Sequence, residues 1–309
     1  MDVLALPEAF EMLRDGGSVV IERPDRGLVR LTGPQRIWFL QNTVSNDVEG
    51  VEPGRWVASC FLTPKGKVLA HFRVGVVADQ VWLDVDPPAT ADLIDWFTRY
   101  RFRTKAEIED LSVGTYTVIG AEAGRIPSGT VASDGDAVLF GDVLGSHAVL
   151  DVHAAAPPPW VAALPRAITD VYEAIRIEAG VGRFGADYGP GLLAQEAGLS
   201  AILSTIKGCY VGQETVARIH FRGHVNRVLR PLRFEDAGPA EGLVGRELFS
   251  DGGKVGAVTS AVDHPALGPL GIGLVRVEVA TGATLEVADG GKAVVGSVPA
   301  GTKVASERR

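Results

Sequence analysis

The sequence predicts an α+β protein with a small all-β region at its C-terminal end, and three observations lead there. Apolar residues at helical spacing alternate with short β-type runs through the first two thirds of the chain. From Val225 onward, β-runs alternate with Gly-rich turns, the pattern of a small closed or sandwich β domain. The 309 residues, 46% hydrophobic and 22% charged, have the composition of an ordered globular protein and suffice for two or three subdomains.

Pro7 to Arg14 reads as a short helix whose apolar side is Ala9, Phe10, Met12 and Leu13, stopped by Gly16-Gly17. A strand pair, Val19 to Glu22 and Leu28 to Leu31, is expected around the turn residues 23–27. Pro34 suits an early helical position, and a helix carrying Ile37, Trp38, Phe39 and Leu40 is expected to end near Asn46-Asp47. From Trp56 to Val85 the spacing predicts an antiparallel meander of three strands, turning at 63–67 and 78–80. Pro87 to Tyr100 returns to helical spacing through Leu93, Ile94, Trp96 and Phe97. Residues 113–153 read as strands and loops, and Ala154 to Trp160 as a stiff connector. A helix over Thr169 to Ala179 should end at a left-handed Gly180, and another should start near Gly212 and run to about Arg218. The last strands fall at Val228 to Phe234, Lys254 to Ser260, Leu270 to Val277 and Ala293 to Val298.

A net charge of -8 argues against general affinity for nucleic acid or an anionic membrane, since either requires a basic surface. The N-terminal segment is acidic and has no long apolar run, no spanning segment is apparent, and a cytoplasmic protein is expected. Two cysteines, far apart and outside any C-x-x-C frame, suit a reducing compartment and cannot alone supply the four thiolates that a cluster usually takes. Cys60, in an apolar run, reads as structural.

The sharpest feature is Lys207-Gly208-Cys209-Tyr210-Val211-Gly212-Gln213-Glu214. Flanking glycines allow close approach, while Lys207 and a following helix would favour thiolate at Cys209. The competing reading is a buried structural thiol in a tight turn. A second cluster, Arg176, Glu178 and Asp187, offers carboxylates able to accept paired N–H bonds from a pterin or guanine-like edge, or plain helix charges. Arg218, His220, Arg222, His224, Arg227, Arg230 and Arg233 form a basic run that would hold an anionic tail or line a solvated strand face. Arg99, Arg101, Arg103 and Lys105, alternating with Tyr100 and Phe102, read as a further anion contact on a strand or as plain surface charge. His220 and His224 lack the glutamate of the zinc-protease signature, and no metal site is expected.

The KGCYVGQE block resembles the signature of the YgfZ-type branch of the GcvT superfamily. Leu31 to Pro34, Phe39 to Asn42, Ser45 to Val48 and Leu62 to Lys67 are similar to its N-terminal blocks, and Arg176 to Asp187 to a block shared by the superfamily. Val258-Thr259-Ser260 resembles a C-terminal turn, so the resemblance covers nearly the whole chain.

The resemblance implies a three-subdomain ring: a ferredoxin-like central part over 30–112, a discontinuous partner from 1–29 and 113–225, and a C-terminal β-barrel over 226–309. It implies tetrahydrofolate, or a one-carbon derivative, in the hole between them, with Glu178 on the pterin. Arg176, Asp187, Lys207, Tyr210, Gln213 and Glu214 would be the other ligand-contacting residues, and Cys209 the working thiol. In aminomethyltransferases of the superfamily, the strand after the 63–67 turn carries an Asp pair that positions the amine. Here Val68-Leu69-Ala70-His71-Phe72 has no carboxylate, which argues against one-carbon transfer. The function implied is a folate-binding accessory factor for iron–sulfur cluster assembly or repair. It would act with cluster clients or assembly proteins, with a link to tRNA modification and without strong direct nucleic-acid binding. The alternative is a folate-dependent aminomethyltransferase or demethylase using His71 as base.

Overall fold

A computed structural model of the chain describes residues 3–86, 89–297 and 299. Pro87 and Val298, at the ends of two expected elements, and residues 1–2 and 300–309 lie outside the described residues. The chain divides into two compact units. The first is Met1–Leu62, Leu69–Tyr172 and Ile206–Val211; the second is Thr63–Val68, Glu173–Thr205 and Gly212–Arg309.

The first unit opens with α1 (Leu6–Arg14), β1 (Ser18–Glu22), β2 (Gly27–Thr32) and α2 (Arg36–Gln41). The meander follows as β3 (Arg55–Leu62), β4 (Val68–Val77) and β5 (Gln80–Val85), then α3 (Ala89–Arg101) and β6 (Glu107–Asp110). β7 (Gly114–Gly120), β8 (Thr130–Asp134), β9 (Ala137–Leu144), β10 (His147–Ala154) and the single turn α4 (Pro159–Ala162) complete it. All ten strands join one sheet in the order β1-β7-β10-β9-β8-β3-β4-β5-β2-β6. Ala89, Leu93 and Phe97 of α3 are buried at four-residue spacing, and the Phe97 ring lies edge-on to Phe39 and Phe61 at 5.3 and 5.5 Å. Such edge-to-face pairs contribute beyond the area they bury.

Three expectations fail here for local reasons. β1 and β2 do not pair with each other: β1 pairs with β7, and β2 with β5 and β6. The Arg23 N–H extends the β1–β7 pairing by donating to the Thr115 carbonyl at 2.8 Å, and its side chain bonds Asp25 at 2.8 Å and stacks on Tyr172 at 3.8 Å. α2 stops at Gln41 rather than near Asn46, because the Asn42 and Thr43 side chains bond back to the Trp38 and Phe39 carbonyls and end the turn. Arg99 and Arg101 belong to α3 and not to a strand, since Leu93, Trp96, Phe97 and Tyr100 hold a helical period.

The second unit contains α5 (Asp170–Glu178) from Glu173 on, and α6 (Gln213–Arg222). Its strands are β11 (Arg227–Glu235), β12 (Glu247–Ser250), β13 (Gly253–His264), β14 (Gly268–Arg276), β15 (Thr284–Val287) and β16 (Lys292–Val295). They close a barrel in the order β11-β14-β13-β12-β15-β16, deciding between the closed and sandwich alternatives. Leu232, Phe234, Leu248, Val258, Leu285 and Val295 fill its interior. α5 ends at Gly180 as expected, with φ +69. A Cβ there would lie 2.8 Å from Pro231 of β11, so both the turn and the packing require glycine.

Candidate functional site

Residues 206–211 are pinned by the lysine of the signature block. Lys207 is 8% exposed, and its ammonium donates to the carbonyls of Val44 and Asn46, both at 2.7 Å. Burial lowers Lys207 to about 8, with Asp47 offsetting part of the shift. Tyr210, also buried, lies 5.2 Å beneath the ammonium, and burial pushes its phenol up to about 12, with Cys60 nearby adding to the rise. Cys209 between them is exposed, against the alternative of a sealed structural thiol. Cys60 is fully buried as expected, and burial pushes its thiol up. Lys207 is therefore engaged by backbone oxygens, a role its place in the sequence does not reveal.

The boundary between units falls inside the block, after Val211. In the second unit Gly212, at φ +85, leads into α6, whose first residues are a half-buried Gln213 and an exposed Glu214. The turn at 63–67 packs against this helix, where a Cβ on Gly66 would meet Thr215 at 3.0 Å.

The Arg176 cluster, in the second unit, is assembled but largely self-satisfied. Arg176 is 1% exposed, and its guanidinium donates to Glu173 at 2.9 and 2.6 Å and to the Val181 carbonyl at 3.1 Å. Further bonds run to Asp187 and to the Ser260 hydroxyl, each at 2.8 Å, so all five of its N–H donors are used. Asp187 also accepts from the Arg183 N–H at 2.9 Å and the Thr259 hydroxyl at 2.6 Å. This knot ties the end of α5 to β13.

Glu178 differs from both. Its side chain is 38% exposed, and one oxygen lies 3.3 Å from His264 Nε2. His264 Nδ1 accepts from the Ala266 and Leu267 N–H groups, each at 3.2 Å, so in the neutral ring the proton sits on Nε2. Sequence reading missed His264; its signal is a single histidine closing the run 258–264.

A larger polar cluster lies inside the first unit and was also missed. Arg26 and Arg73 both contact Asp84; Arg26 also contacts Asp86, and Arg73 also contacts Asp151. Asp84 is fully buried, with His153 Nε2 at 3.1 Å. Burial alone would raise Asp84, but the Arg26 and Arg73 charges hold it well below the usual carboxylate range. Asp86 is likewise driven down to about 2, burial being overridden by Arg26 and then by its contact with His71. His71 Nδ1 lies 3.4 Å from Asp86, so a carboxylate from the end of β5 does reach the stretch that the sequence shows without one. That carboxylate is consumed by Arg26.

The basic run is not one surface. Arg230 is fully buried in the barrel wall, donating to the Val279 and Gly296 carbonyls, while Arg218, Arg222, Arg227 and Arg233 are exposed. Among the described residues, no group of three or more His, Cys, Asp or Glu side chains is arranged to hold a metal ion, and no helix is long and apolar enough to cross a membrane.

No protein-family model matches the chain. It is 25% identical to the putative chloroplastic transferase At1g60990 of Arabidopsis thaliana, over 92% of this chain and 72% of that protein. It is 30% identical to the mitochondrial iron-sulfur cluster assembly factor IBA57 homolog of Mycosarcoma maydis, over 70% of this chain and 57% of that protein. It is 28% identical to the tRNA-modifying protein YgfZ of Vibrio vulnificus, over 74% of this chain and 71% of that protein. Among solved structures, the glycine cleavage system aminomethyltransferase T from Bartonella henselae superposes with a TM-score of 0.82 at 18% identity, covering 95% of this chain and 88% of that one. That likeness establishes the fold, an α+β architecture of the GcvT type with a closed barrel. Fold and sequence relatives converge, and the chain belongs to the YgfZ/GcvT family.

Proposed function

We propose that this protein is a tetrahydrofolate-binding accessory factor that supports assembly or repair of iron–sulfur clusters in client proteins, tRNA-modifying enzymes among them, with Cys209 as its working thiol. The observation that carries the reading is an exposed thiol on a segment whose backbone is fixed by the buried Lys207. A held but open sulfur can meet a partner's cluster or thiol without an ordering cost on its own side. One accessible thiol is fewer than a cluster takes, so a cluster would be cargo shared with the partner. The names of the Mycosarcoma and Vibrio relatives point the same way.

Of the residues assigned to the folate, Glu178 fits best. Its carboxylate is accessible and lies 3.3 Å from His264 Nε2, and it can accept paired N–H bonds from a pterin edge. Arg176 and Asp187 would act by fixing the end of α5 rather than by touching the ligand, because the Arg176 donors are already used. Gln213 and Glu214, in the first turn of α6, remain candidate contacts. When bound, the tetrahydrofolate would supply a reduced carrier of one-carbon units. The proposed setting is the cytoplasm.

Calorimetry with tetrahydrofolate under anaerobic conditions tests the ligand. Glu178→Ala should weaken binding by about tenfold or more, the scale of a lost charge-assisted hydrogen bond, and equal affinities would remove the assignment. Cys209→Ser, expressed in cells lacking the protein, tests the thiol: cluster-enzyme activity should fall to the deletion level, and full rescue would refute its role.

The alternative of one-carbon transfer has one observation in its favour, the His71–Asp86 pair, since a carboxylate that orients an imidazole can prepare it as a base. Asp86 is bound by Arg26 and so cannot also hold an amine. Turnover of a methylamine donor with tetrahydrofolate, abolished by His71→Ala, would establish this reading in place of the first.

A further inference from the structure

At the end of α3 the first unit exposes three aromatic side chains: Trp38 is 58% exposed, Tyr100 41% and Phe102 84%. Phe102 also has φ +46, the left-handed region in which an L-residue's Cβ crowds the backbone and which glycine or asparagine normally fills. A bulky apolar ring is therefore held in solvent in an unfavourable conformation, and both costs point to something that covers it.

The loop that carries Phe102 is braced. The Thr104 N–H donates to the Arg101 carbonyl at 2.8 Å, and the Arg101 guanidinium to the Ala106 carbonyl at 3.0 Å. Gln35 clamps Lys105 from both sides, accepting its N–H at 2.7 Å and donating to its carbonyl at 3.1 Å. Phe102 separates two open hollows, one of about 450 Å³ shared with Trp38 and Tyr100, the other of about 300 Å³ shared with Pro34 and Lys105.

Charge selects the occupant. Among the described residues, Arg99, Arg103 and Lys105 take part in no ion pair, whereas Arg101 lies 3.5 Å from Glu107. Arg99 lies over Trp96 at 5.5 Å and Arg103 over Phe102 at 5.6 Å, so the cations sit beside the rings. In a chain of net charge -8, this is a local reversal of sign. We propose that this surface docks an acidic segment of a partner protein. The segment's carboxylates would face Arg99, Arg103 and Lys105, and one large apolar side chain would enter the hollow that Trp38 and Phe102 line. Aromatic residues with arginine are the usual anchors of protein interfaces. A nucleic acid would need cations tracking a longer backbone than the seven residues 99–105 offer, and would approach against the net charge.

The test is fluorescence anisotropy of the full chain with a fluorescein-labelled polyglutamate peptide carrying a central phenylalanine. A labelled oligouridylate runs in parallel. Saturable peptide binding that weakens with added salt is expected. Phe102→Ala with Arg103→Glu should weaken it by about tenfold or more, as loss of an interface anchor does. Phe102→Gly, which fits the left-handed backbone, should lose binding while its thermal midpoint holds or rises, separating docking from folding. Glu178→Ala and Cys209→Ser should bind the peptide normally, so the outcome is independent of the folate and thiol reading. Absence of peptide binding, binding unchanged in the double variant, or preference for the oligouridylate would each overturn the proposal.

Discussion

The barrel of the second unit is filled by Leu232, Phe234, Leu248, Leu285 and Val295, and a buried guanidinium in its wall, on Arg230, is satisfied by backbone carbonyls. The ten-stranded sheet of the first unit instead encloses Arg26 and Arg73 together with Asp84, Asp86 and Asp151. Apolar burial is non-directional and nearly indifferent to pH. Buried ion pairs pay a large desolvation cost, return it only with good geometry, and depend on protonation. Arg73 on β4 joins Asp84 on β5 to Asp151 on β10, strands that are distant in the sheet order, so the charges specify how the sheet curls. All five tryptophans, at 38, 56, 82, 96 and 160, belong to the first unit, so their fluorescence follows the charged region selectively.

The largest effect should come from cutting that link. Arg73→Met leaves Asp84 and Asp151 buried without their shared cation and should cost about 3–5 kcal/mol at neutral pH, read as a shift of the tryptophan-detected denaturant midpoint. A loss under about 1 kcal/mol would mean the network behaves like a surface pair, and the contrast with the barrel would break. Leu285→Ala in the barrel should cost about 2–5 kcal/mol. Circular dichroism should give the same cost at pH 4 and pH 7, whereas the penalty of Arg73→Met should shrink in acid.

Acid should separate the regions in the wild type as well. Asp86 titrates near 2 when folded and near 3.9 when unfolded. Its contribution, about 2.6 kcal/mol, is present above pH 4 and is lost as pH falls toward 2, where the unfolded chain binds the extra proton first. Unfolding free energy measured between pH 5 and pH 2 should fall more steeply in the wild type than in Asp86→Asn. Parallel slopes would show that Arg26 does not hold this carboxylate.

These contrasts also mark what the sequence could convey. α3 and the barrel strands were legible because four-residue spacing and Gly-rich turns are local signals. The ion network was not, because Arg26 and Asp84 are 58 residues apart and Arg73 and Asp151 are 78 apart, joined only when the sheet curls. One signal was present: Asp84 stands alone among Val81, Trp82, Leu83 and Val85, in a strand buried on both faces. At the candidate site, glycines and lysine around Cys209 marked the residue, but its exposure and the saturation of Arg176 arise only from contacts that the fold creates.

Lys207, in the first unit, is a buried cation whose ammonium donates to carbonyl oxygens, and it should give the smallest effect. Lys207→Met loses two hydrogen bonds but removes a desolvated charge, so the net cost at pH 7 should be on the order of 1 kcal/mol. The folded pKa of about 8 lies below the ordinary 10.5, so between these values the unfolded chain binds the extra proton and stability rises with pH. The methionine variant should lack that rise. Its second readout separates two roles for the lysine. If Lys207 only pins the segment, hydrogen exchange at 206–210 should accelerate while Cys209 alkylation at pH 7 stays within about twofold, since an exposed thiol gains little from loosening. If the ammonium instead activates the sulfur, as its place in the sequence suggests, alkylation should drop several-fold. The two carbonyl contacts at 2.7 Å favour the first outcome, because an ammonium held by neutral oxygens on the segment 44–46 is committed to fixing the backbone that presents Cys209.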